Sequence, residues 1–401
     1  SFFKFLLGGI IMNNTTNNKN ISNILRYINI HGGATKLELA ENLNLSPASL
    51  TKISKKLTAE NILYEEEKVE KNKRKKTDLV INYDKFKFIG IDLRRESTTI
   101  VFTNINLEIS YAFSRQNSPT IKCAKEFFEE MFQNIRDFID ENSINLSEIL
   151  GMGIAINLSE FHTVYYNYQF LDDINHDLIK ELAEKYFSFP LIIDTEIRAL
   201  ALYQTFIDPN IRNFFFMKYD SLIDGSTIEN NQLVKSVIDF NNKLGLNHVV
   251  IEPNSEQFCD TCKRRGCIET MISSTSIIGQ LKEKYKSFPE VVKEYESHGF
   301  DYLVERADKG EVEECLILKK IANYTALLIL NIDAIFSMDN FVVSGKLFKS
   351  PIFNNYLRIS LQNYQLTAIK EKFVISKIEE EKEFLASAYL PINYLFYNYN
   401  F

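Results

Sequence analysis

Two hydrophobic periods alternate along the chain. Ile21, Ile24, Leu25 and Ile28 recur at helical spacing and stop at His31-Gly32-Gly33, which predicts a first helix. Thr35 stands three residues before Glu38, the spacing of a capping box, and Leu39, Ala40 and Leu43 give a second helix its apolar face. Asn44-Leu45-Ser46 makes a short turn. Ser46 can cap a third helix, Pro47 suits its first position, and Leu50, Ile53 and Leu57 face inward. Two short helices across a three-residue turn are the helix-turn-helix pattern. Ile62-Leu63-Tyr64 and Leu79-Val80-Ile81 then read as strands on either side of a charged loop, so residues 13–82 read as a winged helix-turn-helix head.

From residue 86 the period switches repeatedly. Strands are expected at 86–93, 98–105, 108–113, 150–156 and 191–194, with helices at 122–141, 177–186 and 196–206. The pattern then begins again, with strands at 214–219, 223–229 and 232–239, a long helix within 311–336, strands at 341–344 and 372–377, and a final helix at 381–390. Strands followed by helices, twice over, predict two α/β lobes with sheets covered by helices. The expected boundaries are 86–195 for the first lobe, joined by a C-terminal helix at 381–397, and 196–380 for the second.

Composition narrows the class. The chain has 401 residues, 45% hydrophobic and 25% charged, which excludes disordered and collagen-like chains and suggests two to three domains. No apolar run approaches the ~20 residues of a membrane span, so no membrane association is expected. Residues 2–12 are apolar but short, with one Lys and no small-residue cleavage site. An expression scar or an over-long start, with Met12 as the natural start, is the expected explanation. Five cysteines are too few for a disulfide scaffold, which fits a reducing cytoplasmic compartment.

Charge changes the picture further. The net charge is −7, yet residues 13–85 hold 13 basic and 9 acidic side chains. A basic head on an acidic body points to a nucleic-acid-binding module joined to something else. Ser46 and Ser49, with Thr51, Lys52, Lys55 and Lys56, would lie at the start and on the outer face of the third helix. There hydroxyls reach base edges and lysines meet phosphates. Lys73, Arg74, Lys75 and Lys76 would form the tip of the wing over the DNA backbone.

The sharpest local motif is His248 followed by Cys259-Asp260-Thr261-Cys262 and Cys267. Three thiols and an imidazole make a complete tetrahedral set for structural zinc, with no position left for a bound water. Cys123 and Cys315 stand alone and are expected to be small core residues.

The order of these features resembles a family. A winged helix, then IGIDL, GMGIAI, and His248 with a cysteine cluster ending GCIETMIS, is similar to the ROK family of repressors, open reading frames and sugar kinases. The match is to its transcriptional-repressor branch, typified by xylose and N-acetylglucosamine repressors. It covers residues 20 to 395. The resemblance implies an actin-like body of two RNase-H-like lobes around a ligand cleft. In the family the cysteine stretch usually reads C-x-C-G-x-x-G-C; here the first gap is two residues and Lys263 stands where the first Gly would be.

The family's kinase features are altered. The D-x-G-x-T phosphate loop reads Asp92-Leu93-Arg94-Arg95-Glu96, where bulk replaces the glycine that permits close backbone approach. The second phosphate loop, residues 219–226, keeps only Gly225 and carries Asp220 and Asp224. The nucleoside-side Gly-Gly reads Ser344-Gly345, and the catalytic Asn-Asp pair falls on Thr195-Glu196. No catalytic residues are therefore expected. Asn167, Glu196 and His248 match effector-contact positions, although the family's G-E-x-G-H reads Leu244-Gly245-Leu246-Asn247-His248. The expected function is a non-enzymatic, DNA-binding transcriptional regulator, a repressor of carbohydrate-related genes with a degenerate kinase-like body. It would act as a homodimer or dimer of dimers on a duplex operator and respond to a sugar or sugar phosphate. The alternative is an active sugar kinase with an appended head.

Overall fold

The computed structural model describes residues 6–7, 10–11, 16–69, 75–118, 123–157, 175–234, 245–364 and 372–401. The chain divides into two compact units. The first draws on Ser1–Asn157, Asn167–Ala199 and Glu380–Phe401, and the second contains Leu200–Glu379.

The head lies within the first unit. Helix α1 (Thr16–His31) buries Ile21, Ile24, Leu25 and Ile28, the residues its spacing picks out. Helix α2 (Lys36–Leu43) starts with the full Thr35/Glu38 capping box and ends on Asn44 in the left-handed conformation. Helix α3 (Pro47–Ala59) is capped by Ser46 and buries Leu50, Ile53 and Leu57. Strands β1 (Leu63–Val69) and β2 (Lys75–Ile81) pair antiparallel, and Ala34 bridges to Leu79 to close the wing onto the helices. The strands run further into the charged segment than its composition suggests. Lys75 and Lys76 belong to β2, not to the tip, because opposite charges face each other nearby: Lys76 meets Glu38 at 3.0 Å and Asp78 at 3.5 Å.

A five-stranded sheet completes the first unit. Strands β3 (Lys87–Leu93), β4 (Ser97–Asn104) and β5 (Ile109–Gln116) are antiparallel, and β6 (Ile149–Ile156) and β7 (Leu191–Thr195) add in parallel beside β3. Helices α4 (Ala124–Glu141) and α5 (His176–Tyr186) pack together, α4 burying Phe127, Phe128, Phe132 and Ile135. Helix α6 (Glu196–Ile207) follows β7 directly. The second unit repeats the topology. Strands β8 (Phe214–Tyr219), β9 (Ile223–Glu229) and β10 (Gln232–Leu233) are antiparallel, with β11 (Asn340–Ser344) and β12 (Phe373–Ile375) parallel beside β8. The expected strand at 232–239 is two residues long within the described part; 235–239 lie outside it. This doubled arrangement is the RNase-H-like, actin-like body.

Between β10 and β11 the second unit carries helices that hydrophobic period did not reveal. These are α7 (Ile268–Ile272), α8 (Ser274–Lys284), α9 (Pro289–His298) and α10 (Phe300–Asp308), followed by the long α11 (Val312–Phe336). Helix α11 is long and apolar enough by composition to cross a membrane, contrary to the sequence expectation. Its Leu318, Ile321, Ala322, Ala326, Leu328, Ile329 and Ile332 are instead part of the second unit's core. Glu314, fully buried in its first turn, accepts hydrogen bonds from Tyr285 and Tyr295 and from Arg306 Nε at 2.6 Å. Helices α12 (Lys346–Lys349) and α13 (Pro351–Asn363) follow β11.

The C-terminal segment returns to the first unit. A turn at Glu380–Lys382 leads into α14 (Leu385–Pro391) and then a π-helix, Ile392–Tyr397. The regular helix begins later than residue 381 and widens after Pro391, whose missing N–H breaks the α ladder. Two glycines seat it. A Cβ on Gly90 of β3 would meet Ala388 N at 2.5 Å, and one on Gly153 of β6 would meet Ser387 O at 2.0 Å. The conspicuous glycines of IGIDL and GMGIAI are thus the floor on which α14 lies. Of the two lone cysteines, Cys315 is half-buried, but Cys123 is exposed at the N-cap of α4 and is not a core residue.

Replacing Arg306 with Met leaves Glu314 buried without its cation. The expected loss is about 3–5 kcal/mol in urea unfolding, much of it recovered when Glu314 is replaced by Gln in the same chain.

Candidate nucleic-acid interface and metal centre

The third helix presents a polar, exposed face. Ser46, Ser49, Thr51, Lys52, Lys55 and Lys56 are all exposed, while Leu50, Ile53, Ser54 and Leu57 are buried. The Ser46 hydroxyl accepts from the Ser49 amide and donates to the Ser49 hydroxyl, and Thr51 Oγ1 donates to Pro47 O at 2.7 Å. These hydroxyls thus serve the helix's first turn. Lys52 and Lys55 make no ion pair among the described residues. Lys56 differs: its Nζ lies 3.9 Å from Glu60 and 4.6 Å from the centre of the Tyr399 ring. On the wing, Lys73 and Arg74 lie outside the described residues, Lys75 opens β2, and Lys76 is paired with Glu38 and Asp78.

Glu38 ties helix α2 to the wing. The Thr35 amide donates to it at 2.8 Å and Lys76 at 3.0 Å. The amide first and the ammonium second hold its carboxyl down at about 2.

The cysteine cluster closes as its spacing suggests. The ligand atoms of His248, Cys259, Cys262 and Cys267 all lie within 4.8 Å of one another, and the thiols are free. Cys262 and Cys267 Sγ are 3.3 Å apart, far beyond a disulfide bond, and His248 Nδ1 is 3.4 Å from Cys259 Sγ. Those separations approach the roughly 3.8 Å edges of a tetrahedron with metal–sulfur bonds of 2.3 Å, so the donor set fits zinc. A backbone knuckle holds it: the Cys259 amide donates to Arg264 O, and the Lys263 amide to Cys259 O, both at 2.9 Å. Lys263 takes φ +59°, the left-handed conformation that the family's glycine would adopt, so the departure there is tolerated. Gly266 has no substitute, since a Cβ would meet Glu252 O at 1.8 Å. Glu269 Oε2 approaches His248 Nδ1 at 3.2 Å and accepts from Cys259 at 3.5 Å, a neighbour only the family match hinted at. Burial pushes the Cys259 and Cys267 thiols up, Cys267 to about 12, the direction a bound cation would reverse.

The phosphate turn of the first unit is filled by charge of its own. Arg94 follows β3 and its guanidinium reaches Asp92 at 2.8 Å, Glu383 at 3.3 Å and Glu196 at 3.4 Å. All three carboxylates are buried. Asn117 donates to the carbonyls of Arg94 and Arg95, fixing the turn. In the second unit Asp224 accepts from the Gly225 amide, and Lys218 pairs with Asp220 at 3.3 Å. Of the effector positions, Asn167 lies outside the described residues, Glu196 opens α6 against Arg94, and His248 sits in the metal cluster of the other unit.

Two family matches cover these features. Residues 17–64 match the family described as winged helix-turn-helix DNA-binding, and residues 88–389 match the ROK family. The chain belongs to the ROK family. Within it, the chain is similar to the DNA-binding transcriptional dual regulator NagC of Escherichia coli K12, at 23% identity over 278 residues. It is equally similar to the N-acetylglucosamine repressor of Shigella flexneri. The alignment spans 67% of this chain and 66% of each relative, just under two thirds of their length. Among solved structures it is similar to a ROK family transcriptional regulator described as a homologue of the E. coli MLC protein. That match has TM-score 0.77 and 15% identity, covering 95% of this chain and 97% of the other. A putative N-acetylmannosamine kinase from Listeria monocytogenes shares the fold at TM-score 0.59 and 13% identity, over 77% of this chain and 99% of the kinase.

Glu38 yields a pH signature. Its folded carboxyl sits below the ordinary 4.5, so its contribution is present above that value and disappears as pH falls towards 2. The stability gap between the protein and Glu38→Gln is expected to be constant above about pH 5 and to narrow to nothing near pH 2 in thermal melts.

Proposed function

We propose that the protein is a cytoplasmic, DNA-binding transcriptional regulator, a repressor of carbohydrate-related genes whose kinase-like body serves as an effector sensor. One observation carries the reading: a winged helix-turn-helix with an exposed Ser/Thr/Lys face is joined to a ROK body whose phosphate turn is occupied by Arg94. A phosphate cradle offers backbone N–H groups and positive charge to an anion. Here the Arg94 guanidinium is neutralised by Asp92, Glu196 and Glu383. The body is therefore suited to holding a polar ligand rather than transferring phosphate.

The names of the relatives point to the ligand class, a sugar or sugar phosphate, with Asn167, Glu196 and His248 as contact positions. Two heads in a symmetric dimer would place their α3 helices in successive major grooves, about 34 Å apart. Ser46, Ser49 and Thr51 would face base edges near the helix start, and Lys52, Lys55 and Lys56 of α3, with Lys73 and Arg74 of the wing, would face phosphates. A ligand that favours one arrangement of the body would shift DNA affinity by its difference in affinity for the two arrangements. His248, Cys259, Cys262 and Cys267 would hold one structural zinc.

The DNA reading is tested with duplexes selected from a random pool. Lys52→Ala with Lys55→Ala is expected to weaken binding and to lower the slope of log K against log salt by about 2. An unchanged slope would remove α3 as the DNA-facing helix. Sugar-dependent ATP turnover by the same preparation would favour the kinase instead.

The zinc reading predicts close to one equivalent of metal per chain by elemental analysis. Cys262→Ser should lose it and lower the melting temperature, while the head retains its protection in hydrogen exchange.

A further inference from the structure

The DNA-reading helix is gripped from a distance of more than 300 residues. Tyr399, beyond the π-helix, donates its hydroxyl to Glu60 at 2.6 Å at the end of α3 and lays its ring under Lys56. Two turns back, Arg26 of α1 donates to Asn393 at 2.8 Å and Asn398 at 3.0 Å, with its guanidinium 5.2 Å from the Tyr397 ring centre. Asn18 at the start of α1 donates to the Tyr399 carbonyl. Phe86, where the head meets β3, packs edge-on against Phe396 and Phe401.

Three independent features set this joint apart from ordinary packing. Tyr399 sits at φ +52°, a left-handed conformation that costs a bulky residue of order 1 kcal/mol and persists only where its surroundings impose it. The preceding turn is a π-helix, which is rare and recurs at functional positions. Among the described residues no protein group hydrogen-bonds the buried Asn393 Nδ2, Asn398 Nδ2 or Tyr397 Oη, and Asn393 and Tyr397 are almost wholly enclosed.

We propose that Arg26 and Tyr399 are positioning residues for DNA recognition. The segment from Asn393 to Tyr399 is a mount that fixes the aim of α3 against the first-unit sheet. The two anchors hold different helices of the head, so losing either lets the head turn about the other. The aim of α3 governs which half-site spacing a pair of heads can reach, while leaving each head's own contacts intact. This rests on the proposed DNA-binding dimer.

The test uses the full chain and four variants: Arg26→Met, Arg26→Lys, Tyr399→Phe and Tyr399→Gly. Each selects duplexes from a random pool, and each is followed by hydrogen exchange without DNA and by light scattering for oligomeric state. Arg26→Met and Tyr399→Gly are expected to lose about 10-fold in affinity for the duplexes that the unmodified protein selects, and to hold random duplex as before. Their own selected duplexes should keep the half-site and widen in spacing. Arg26→Lys should rescue in part, since both bonds leave the single Nη2 and one ammonium can meet Asn393 and Asn398, but it lacks the planar guanidinium that lies over the Tyr397 ring. Tyr399→Phe, which keeps ring and backbone, should fall between. Amides of α1 should exchange faster in Arg26→Met with those of β3 unchanged.

Equal losses on selected and random duplex, or unchanged spacing, would make the joint merely structural and overturn the proposal. If Arg26→Met unfolds the head, Tyr399→Phe decides by the spacing readout. Failure of the unmodified protein to select any duplex, or a monomer by light scattering, would sink the DNA-binding dimer instead. In that case unchanged exchange in α1 would still overturn the mount.

Discussion

Everything in the first unit leans on the close approach of one helix to one sheet. Gly90 and Gly153 remove the side chains that would hold α14 away from β3 and β6, and a methyl at either would collide with its backbone. Once α14 is seated, Glu383 is brought to Arg94 and the following π-helix is carried to the head. A steric allowance of two missing side chains thus fixes both the charge-filled turn at Arg94 and the joint with the helices of the head.

The second unit is organised around a different problem, the burial of charge and thiols. Glu314 is enclosed only because two tyrosines and Arg306 satisfy it. The cysteine knuckle is a small loop with little apolar material of its own, with Phe258 and Arg265 stacked on its outside at 4.3 Å. Its four donors converge to a geometry that could hold a metal, while its own apolar core is small.

Much of this was legible in the sequence wherever the determining interactions are local. The Thr35/Glu38 capping box, the Ser46-Pro47 helix start and the apolar spacing of α1 each depend on neighbours within a few residues. The cysteine cluster was legible because its ligands must follow one another closely. What escaped depends on distant partners. Lys76 reads as a loop lysine until Glu38 is placed beside it, and Arg94 reads only as bulk in place of a glycine until Asp92, Glu196 and Glu383 surround it. Helices α8 to α10 are short and their apolar stripes are interrupted, so period alone does not separate them from loop. The importance of residues 393–399 is invisible locally, because a run of Asn and Tyr reads as an ordinary polar-aromatic end.

The distance in sequence between Arg26 and its acceptors has a consequence for the order in which the molecule is made. The separations are 367 and 372 residues. Contacts inside the head are local and can form as soon as it leaves the ribosome, whereas its seat on the sheet must wait for the C-terminal segment to be synthesised. At an elongation rate of about 5–20 residues per second, a nascent chain carries a head without its seat for tens of seconds. In that interval the three helices and the wing are formed but unseated, so the orientation of the head is the last feature of the first unit to be set.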